Sequence, residues 1–366
     1  MVAGEAEPGF RLSGRDEWKY PGSYRKPKQL PKTQIATENP GSYREPKQVQ
    51  RPKMQVVQLN TLRRRSAVMM LICCCALMWG QELAPEQKQL VDAAVPRKAP
   101  AKPKKQRRML VSNLSVRDGQ VVPGHSSTVI PAADYAFDRM GKLTGAYEAV
   151  FSNDIEMFRP AKIRQFDAIC FLNTAGVLFD DPELRKSLLD YIAGGKGFVG
   201  IHDAIATFVQ YPKYDQWPPF GQMLGGTENG GHPWDGELMT IKLDDPASPL
   251  NAVFHGQEFQ IADQAFQLQE PVLRDHLHVL TSIDVEKTGL YPQHHILPVR
   301  QADKDFPVTW IRSYGKGRVF YSSLGHGAPV YWNAQLLEHF LAGIQYALGD
   351  LKADATPSAR VHAGKQ

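Results

Sequence analysis

Residues 197–204 read Gly-Phe-Val-Gly-Ile-His-Asp-Ala, a short apolar run that ends at His202 and Asp203. A run of this length and composition is typical of a buried strand. In open parallel sheets, ligands bind in the crevice beyond the carboxyl ends of the strands. Histidine titrates near neutral pH and is the commonest metal ligand. A histidine at the tip of this strand therefore predicts a functional site there.

On both sides of this run, from residue 108 onward, short apolar segments alternate with helical patterns. One helix is predicted over 131–143, and a second begins at Asp181-Pro182, an N-cap residue followed by proline, and ends at Gly194-Gly195. The predicted strands are 109–113, 147–151, 168–173, 197–201, 237–243, 279–281, 308–313 and 318–322, and a last helix covers 334–348. This order predicts an α/β fold, a doubly wound, mostly parallel sheet in a single domain.

The first third of the chain has a different composition. Residues 1–62 are rich in Pro, Lys and Gln without apolar periodicity, and they predict a disordered basic extension. Residues 63–80 open with three arginines and continue with an uncharged apolar run, which is the pattern of a signal peptide. An uncleaved membrane anchor is the alternative. We predict a linker at 81–107, one folded domain at 108–351 and a disordered tail at 352–366.

The composition of these segments indicates where the protein is located and which classes of partner it can have. The signal-like run predicts a periplasmic or secreted protein, with a membrane tether if the run is not cleaved; a natural start at Met54 would bring that run close to the N-terminus. The net charge of +5 comes from basic residues before position 110, so no nucleic-acid partner is expected. Neither a GxGxxG nor a Walker motif is present, which argues against a nucleotide cofactor. Cys170 sits inside a predicted strand and is expected to be a core residue, and a homo-oligomer is left open.

Four histidines lie outside the predicted helices, near the ends of strands or in glycine-rich segments: His125, His202, His232 and His326. Loops that follow parallel strands share one edge of the sheet, so these imidazoles are expected to converge. His202, His232 and His326, with Asp203 or Asp263 as a carboxylate, would suit a divalent metal such as zinc. Their spacing matches no compact metal motif, and purely structural roles remain the alternative.

Aromatic residues flank the same segments. Trp217 and Trp234 stand on either side of the glycine-rich stretch 225–231, and Tyr331 follows Gly325-His326-Gly327. Aromatic side chains beside polar groups suit sugar rings, although such residues are as often part of the core.

Several motifs together resemble the ThuA-like (trehalose utilisation) family over residues 108–350. They are Gly200-Ile201-His202, Leu224-Gly225-Gly226 followed by His232-Pro233, Pro307-Val308-Thr309-Trp310, Gly315-Lys316-Gly317-Arg318 and Leu324-Gly325-His326. The resemblance implies a flavodoxin-like fold similar to that of class I glutamine amidotransferases. Those enzymes carry a cysteine at the elbow that His202 occupies here, so glutamine hydrolysis is not expected. The family often has Asp-Glu where this chain has Asp263-Gln264.

The resemblance also implies a function in carbohydrate metabolism, through 3-keto derivatives of trehalose and related disaccharides. We expect an exported enzyme that cleaves or isomerises a small-molecule carbohydrate with the help of a divalent metal. His202, Asp263 and His125 are then the catalytic residues. The substrate-binding residues are Asp203, Trp217, Trp234 and Tyr331. The alternative is a carbohydrate-binding or scaffold module that has no catalysis. No Gly-x-Ser-x-Gly elbow is present, so an ordinary serine hydrolase is not expected.

Overall fold

The computed structural model of the chain describes residues 83–124, 126–268, 274–289 and 304–359. The predicted extension 1–62, the signal or anchor segment 63–80 and His125 lie outside these residues. Within the described ranges, no helix combines the length and the apolar character that a bilayer span requires.

The chain alternates strands and helices through most of its described length. The strands are β1 (Arg108–Ser112), β2 (Ser115–Arg117), β3 (Gln120–Val121), β4 (Glu148–Phe151), β5 (Ala168–Leu172), β6 (Ala175–Gly176), β7 (Gly197–Ile201), β8 (Val209–Gln210), β9 (Asp215–Gln216), β10 (Glu228–Leu243), β11 (Phe259–Leu268), β12 (His278–Ile283), β13 (Pro307–Tyr314) and β14 (Gly317–Ser322). The helices are α1 (Pro85–Ala94), α2 (Ile130–Thr144), α3 (Pro160–Ile163), α4 (Pro182–Ala193), α5 (Pro218–Leu224), α6 (Val285–Thr288) and α7 (Ala334–Leu348).

One large sheet organises the described residues, with the strand order β11-β10-β12-β13-β14-β7-β5-β1-β4. The five strands from β14 to β4 run parallel to one another. In chain order these five strands are arranged 2-1-3-4-5, which is the flavodoxin-like order. The predicted α/β fold, its doubly wound sheet and its single domain are therefore confirmed. The carboxyl ends of β5, β7 and β14 meet at one edge of this sheet.

The two faces of the sheet bury two separate apolar clusters. Alternate residues of β5 point to opposite faces, because successive side chains of a strand alternate. Cys170 belongs to the cluster that packs against α2 and α7. Phe171 belongs to the cluster that packs against α4 and α5. Cys170 is fully buried, as the sequence predicted, and burial raises the pKa of its thiol.

The helix boundaries follow capping residues. Asp181 accepts a hydrogen bond of 2.8 Å from the backbone N–H of Glu183 at the start of α4. Asn333 caps α7 in the same way, through Leu336 at 3.2 Å. Helix α7 ends at Gly349, whose φ of 79° is left-handed and favours glycine. Such local signals explain why both helices were predicted within a residue or two of their ends.

The antiparallel half of the sheet contains a long two-stranded ribbon. Strand β10 pairs with β12 only through residues 241–243, and the rest of β10 pairs with β11. Three register shifts interrupt that pairing, and such bulges bend and twist a strand pair. The backbone N–H of Phe266 on β11 donates to Ser323 Oγ, just beyond β14, at 3.2 Å. The ribbon thus reaches the carboxyl edge of the parallel strands.

Two predicted segment boundaries differ from the structure. The expected linker 81–107 contains α1, whose Val91 is fully buried, and Arg107 forms a hydrogen bond of 2.9 Å with Asp350. In the expected disordered tail, the backbone N–H of Ser358 donates to Leu277 at 2.9 Å. Both segments are polar and rich in alanine, so their few buried apolar side chains were not visible as a periodic pattern.

Candidate functional site

His202 lies at a sharp turn directly after β7, where it is the first residue of a short 3₁₀ segment, His202–Ala206. Its φ of 48° is left-handed, which is uncommon for a residue with a side chain. A strained strand-to-helix turn of this kind presents a reactive side chain at the edge of a sheet. The His202 side chain is fully buried, and its Nδ1 lies 2.6 Å from the carbonyl oxygen of Ser323. Because a carbonyl only accepts, Nδ1 carries the proton and Nε2 is the nitrogen left for chemistry.

Three of the four histidines that were expected to converge belong to a series of contacting rings, which we call the histidine row: His232, Phe266, His202 and His326. The ring centroids of His202 and His326 are 5.2 Å apart. Phe266 contacts His202 and His232, with centroid distances of 4.7 Å and 4.8 Å. His232 and His326 are partly exposed, whereas His202 is buried. A molecule arriving from solvent therefore meets His232 and His326 first.

Asp263 fixes the turn that carries His326. Its two carboxylate oxygens accept hydrogen bonds from the backbone N–H groups of Gly325 and Gly327, each at 2.7 Å. Burial raises the pKa of Asp263 to about 7, and the backbone N–H groups oppose that shift by stabilising the charged form. A catalytic role of Asp263 stays a prediction, and the contacts of its side chain are those of a positioning residue. The buried carboxyl group holds the turn beneath His326.

Tyr331 supports the same turn from the other side. Its hydroxyl donates to the carbonyl of Gly325 at 2.9 Å, and Asn173 Nδ2 donates to the same carbonyl at 3.2 Å. Tyr331 is fully buried. The prediction that Tyr331 binds substrate is therefore wrong for this arrangement, because a sugar could not reach its ring. Tyr331 and Trp332 are adjacent in the sequence, and nothing in the sequence indicates which of the two rings faces the core.

Two further acids lie behind the histidine row. Asp203 Oδ1 is 3.3 Å from His202 Nε2, and Asp203 Oδ2 accepts a hydrogen bond of 2.8 Å from Ser126. Burial, with a smaller contribution from the charge of Asp203, raises the pKa of Glu228 to about 8. The Tyr211 hydroxyl donates to Glu228. Asp203 was predicted to bind substrate, but it is buried and contacts His202 instead.

A cavity of about 590 Å³ opens beside this acid pair, among the loops that follow β1, β5 and β7. Tyr211 and Trp217 line it, together with Phe208, Arg117 and Arg185. Trp217 is half-buried, and the Arg185 guanidinium lies 5.0 Å from its ring centroid. Of the aromatic residues predicted to bind a sugar, Trp217 is the one that faces this cavity.

Trp234 has a different place. It is fully buried, its indole N–H donates to the carbonyl of Gly289 at 3.0 Å, and its ring packs edge-on against Phe306 at 4.9 Å. The prediction of Trp234 as a substrate-binding residue is therefore wrong. Its position on β10 points it into the core, which the sequence did not reveal because β10 was predicted to begin only at residue 237.

The expected metal site can be tested on the donor groups. Among the described residues, no three His, Cys, Asp or Glu side chains are grouped so that they could hold one metal ion. His202 offers only Nε2, which faces Asp203 at 3.3 Å. The donors in this part of the chain do not fit a site made by His202, His232 and His326. His125, predicted to assist them, lies outside the described residues.

Sequence reasoning missed Glu228, Phe266 and the β11 strand that carries Phe266. Glu228 lies inside the glycine-rich stretch 225–231, which was predicted to lie at the edge of the sheet. An acid at that place could have been included among the candidate site residues. Phe266 carried no such signal, because its contacts depend on how the ribbon bends.

Comparisons with known proteins agree with this architecture. A family model for ThuA, described as trehalose utilisation, matches residues 117–347. A ThuA-like protein of known structure from Bacteroides uniformis has a TM-score of 0.51 at 21% identity, covering 71% of this chain and 99% of that one. One from Parabacteroides merdae has a TM-score of 0.46 at 16% identity, covering 68% and 93%. No curated protein gives a significant match. At these identities the structural likeness concerns the fold alone.

Proposed function

This chain belongs to the ThuA (trehalose utilisation) family, and we propose that its histidine row is the active site of an enzyme that cleaves or isomerises 3-keto-glycosides. The observation that carries the proposal is the contact of His202 and His326 at the carboxyl edge of the parallel sheet, with ring centroids 5.2 Å apart. Two imidazoles at that edge suit proton transfer at neutral pH.

The chemistry requires a base next to a carbonyl-activated carbon. A ketone at C3 of the sugar acidifies the hydrogen on C2, and a partly exposed His326 would accept that proton. The electron pair left on C2 forms an enediolate with C3. This pair then forms a double bond between C1 and C2 and expels the oxygen on C1, which takes the proton back from His326, so that the glycosidic bond is broken. Return of a proton to the other face of C2 isomerises the sugar instead.

The buried groups would keep His326 in position and tune it. Asp263 holds the backbone turn of residues 325–327, and His202 packs against the His326 ring from the protein side. The Ser323 carbonyl accepts the Nδ1 proton of His202, so Nε2 is the nitrogen that faces Asp203 Oδ1, at 3.3 Å. No step of this proposal uses a metal, because the described donors do not fit one.

The test is deuterium exchange at C2 of 3-keto-trehalose in heavy water, followed by NMR, together with release of the leaving sugar. The wild-type chain should catalyse exchange, and His326→Ala should lose at least about 100-fold of its rate, as expected when a general base is removed. Leu90→Ala, an exposed position on α1, is the control and should match the wild type. Absence of exchange in the wild type, or full activity in His326→Ala, would refute the proposal.

The non-catalytic alternative has one observation in its favour. His326 is not among the residues that line the cavity with Trp217, so the chain has a concave surface that could bind a ligand without any reaction. Sugar binding without any exchange at C2 would favour that alternative.

A further inference from the structure

The cavity beside Tyr211 has an inner wall made of aromatic and aliphatic side chains. Phe208 and Trp217 pack edge to face with ring centroids 5.0 Å apart, and Phe179 packs on Phe208 at 5.0 Å. Leu184 and Val209 continue the wall, and both are fully buried. Its volume of about 590 Å³ is within the usual range for sites that bind small molecules.

The rim of the cavity is polar and close to neutral in charge. Three arginines and four aspartates line it, and Arg159 is already paired with Asp181 at 2.8 Å. Arg185 donates to the carbonyl of Phe179 at 3.2 Å and lies over the Trp217 ring. An anionic ligand such as a phosphate would meet more negative groups than positive ones. A purely apolar ligand would cover charged rim groups without replacing their hydrogen bonds to water.

A neutral ring with one apolar face and several hydroxyl groups satisfies both surfaces. Its C–H face can pack on the half-buried Trp217 ring, which the buried Phe208 supports, and its hydroxyls can pair with planar side chains of the rim, among them Gln210, Asp215 and Gln216. Pyranose sugars have this character. The hairpin of β8 and β9, which supplies these rim residues, is tied to the rest of the protein through Tyr211 and Glu228.

We propose that this cavity is a carbohydrate-binding site, separate from the histidine row, that holds a neutral pyranose ring against Trp217. Tyr211 lines the cavity, and its hydroxyl donates to the buried Glu228. His202 and His326 do not line the cavity. The proposal concerns binding and does not depend on the reaction proposed for the histidines.

The test is calorimetric titration of the full chain with three probes: trehalose, methyl α-glucoside and inorganic phosphate. Both sugars should bind and phosphate should not. Trp217→Ala should weaken sugar binding by about tenfold or more, which corresponds to about 1.4 kcal/mol. Trp217→Phe should recover most of the affinity, because an aromatic face remains. Asp215→Ala, at an exposed rim position, should also weaken binding while leaving the wall intact.

His326→Ala separates the two proposals. Sugar binding should persist in His326→Ala, since His326 does not line the cavity, even though exchange at C2 is lost. Loss of sugar binding in His326→Ala, equal affinity in Trp217→Ala and wild type, binding of phosphate in preference to sugar, or no binding of either sugar would each overturn the cavity proposal. Leu90→Ala is again the matched control. Intact sugar binding with no wild-type exchange would instead defeat the reaction alone.

Discussion

The carboxylate of Asp263 accepts a hydrogen bond of 2.7 Å from the backbone N–H of Gly325, although the two residues are 62 positions apart. This contact joins the antiparallel ribbon to the turn that follows the last parallel strand. It holds the backbone of the turn that carries His326, and the His326 ring lies next to His202. The histidine row therefore depends on a buried acid that belongs to a different half of the sheet.

Asp263→Asn should weaken both stability and turnover. The amide would set an NH₂ group against a backbone N–H of the 325–327 turn, leaving a buried donor without an acceptor. We expect a loss on the order of 2 kcal/mol in the free energy of unfolding. Turnover should fall mainly through kcat, because the turn that carries His326 is no longer held. Urea unfolding and steady-state kinetics measure the two effects, and unchanged values of both would contradict the role given to Asp263.

Gly325→Ala should disrupt the same turn by steric crowding. A Cβ at this position would lie 2.9 Å from Ile201 Cγ2 and 2.9 Å from the Tyr331 hydroxyl, and φ is 138°. Gly256→Ala is the matched control, since its φ is 75° and a Cβ there meets nothing within 4 Å. Both variants bear backbone strain, and the Gly325 variant adds to it the crowding and the larger strain of a φ of 138°. We expect Gly325→Ala to be less stable than the control by about 2 kcal/mol or more in thermal unfolding; equal stabilities would show that the turn gives way easily.

Glu228 should make the protein less stable as the pH rises. Its pKa is about 8 in the folded protein against an ordinary value of 4.5. Between these values the folded state keeps a proton that the unfolded state has released, so the free energy of unfolding falls as pH increases from about 4.5 to about 8. Each unit of difference corresponds to about 1.4 kcal/mol.

Glu228→Gln removes this titration and keeps an acceptor for Tyr211. The variant should be more stable than the wild type at pH 8 by an amount on the order of a few kcal/mol, and the two should converge near pH 5. Part of the slope should survive, because the pKa values of Asp134 and Asp263 are both raised to about 7 by burial. Chemical denaturation at a series of pH values provides the comparison. Parallel curves for variant and wild type would argue that Glu228 is charged in the folded state.

Trp234 and Trp217 should respond differently to replacement. Trp234→Phe removes a buried indole and its hydrogen bond to Gly289, so stability should fall by about 1–3 kcal/mol while sugar binding by the folded protein is unchanged. Trp217→Phe should keep the stability and most of the sugar affinity, whereas Trp217→Ala should lower the affinity about tenfold. Thermal unfolding and calorimetric titration of these variants, side by side, distinguish a core tryptophan from a ligand-facing one; sugar affinity reduced in Trp234→Phe alone would reverse the assignment.

The parallel half of the fold was predictable because its signals are local. The capping Asp181, the apolar run before His202 and the Gly315-Lys316-Gly317 hairpin turn each act within a few residues. The contact of His202 with His326 follows from strand topology, because the two residues come after the carboxyl ends of the neighbouring parallel strands β7 and β14. The burial of His202 itself does not, since it depends on the Ser323 carbonyl, which sits 121 positions away.

The side-chain directions in the antiparallel ribbon of β10 and β11 could not be predicted from the sequence. Trp234 and Phe266 are both buried aromatic residues on paired strands, yet they belong to different apolar clusters, and Phe266 also contacts two imidazoles. Their directions depend on the register shifts between β10 and β11, and such shifts leave no periodic trace. Tyr331 was also misassigned, because the sequence does not show that its hydroxyl donates to a backbone carbonyl, that of Gly325.

The packing of α1 sets where this fold begins. Val91 and Val95 are buried in the same cluster as α7, and Gln345 on α7 exchanges hydrogen bonds of 2.8 Å and 2.6 Å with the backbone of Ala101. A fragment that begins at Arg108, where composition predicts the domain boundary, would lack α1. The apolar side chains of α7 that α1 covers would then be exposed to solvent. Truncation at that point would give material prone to self-association, whereas a start upstream of Leu83 would preserve the native surface.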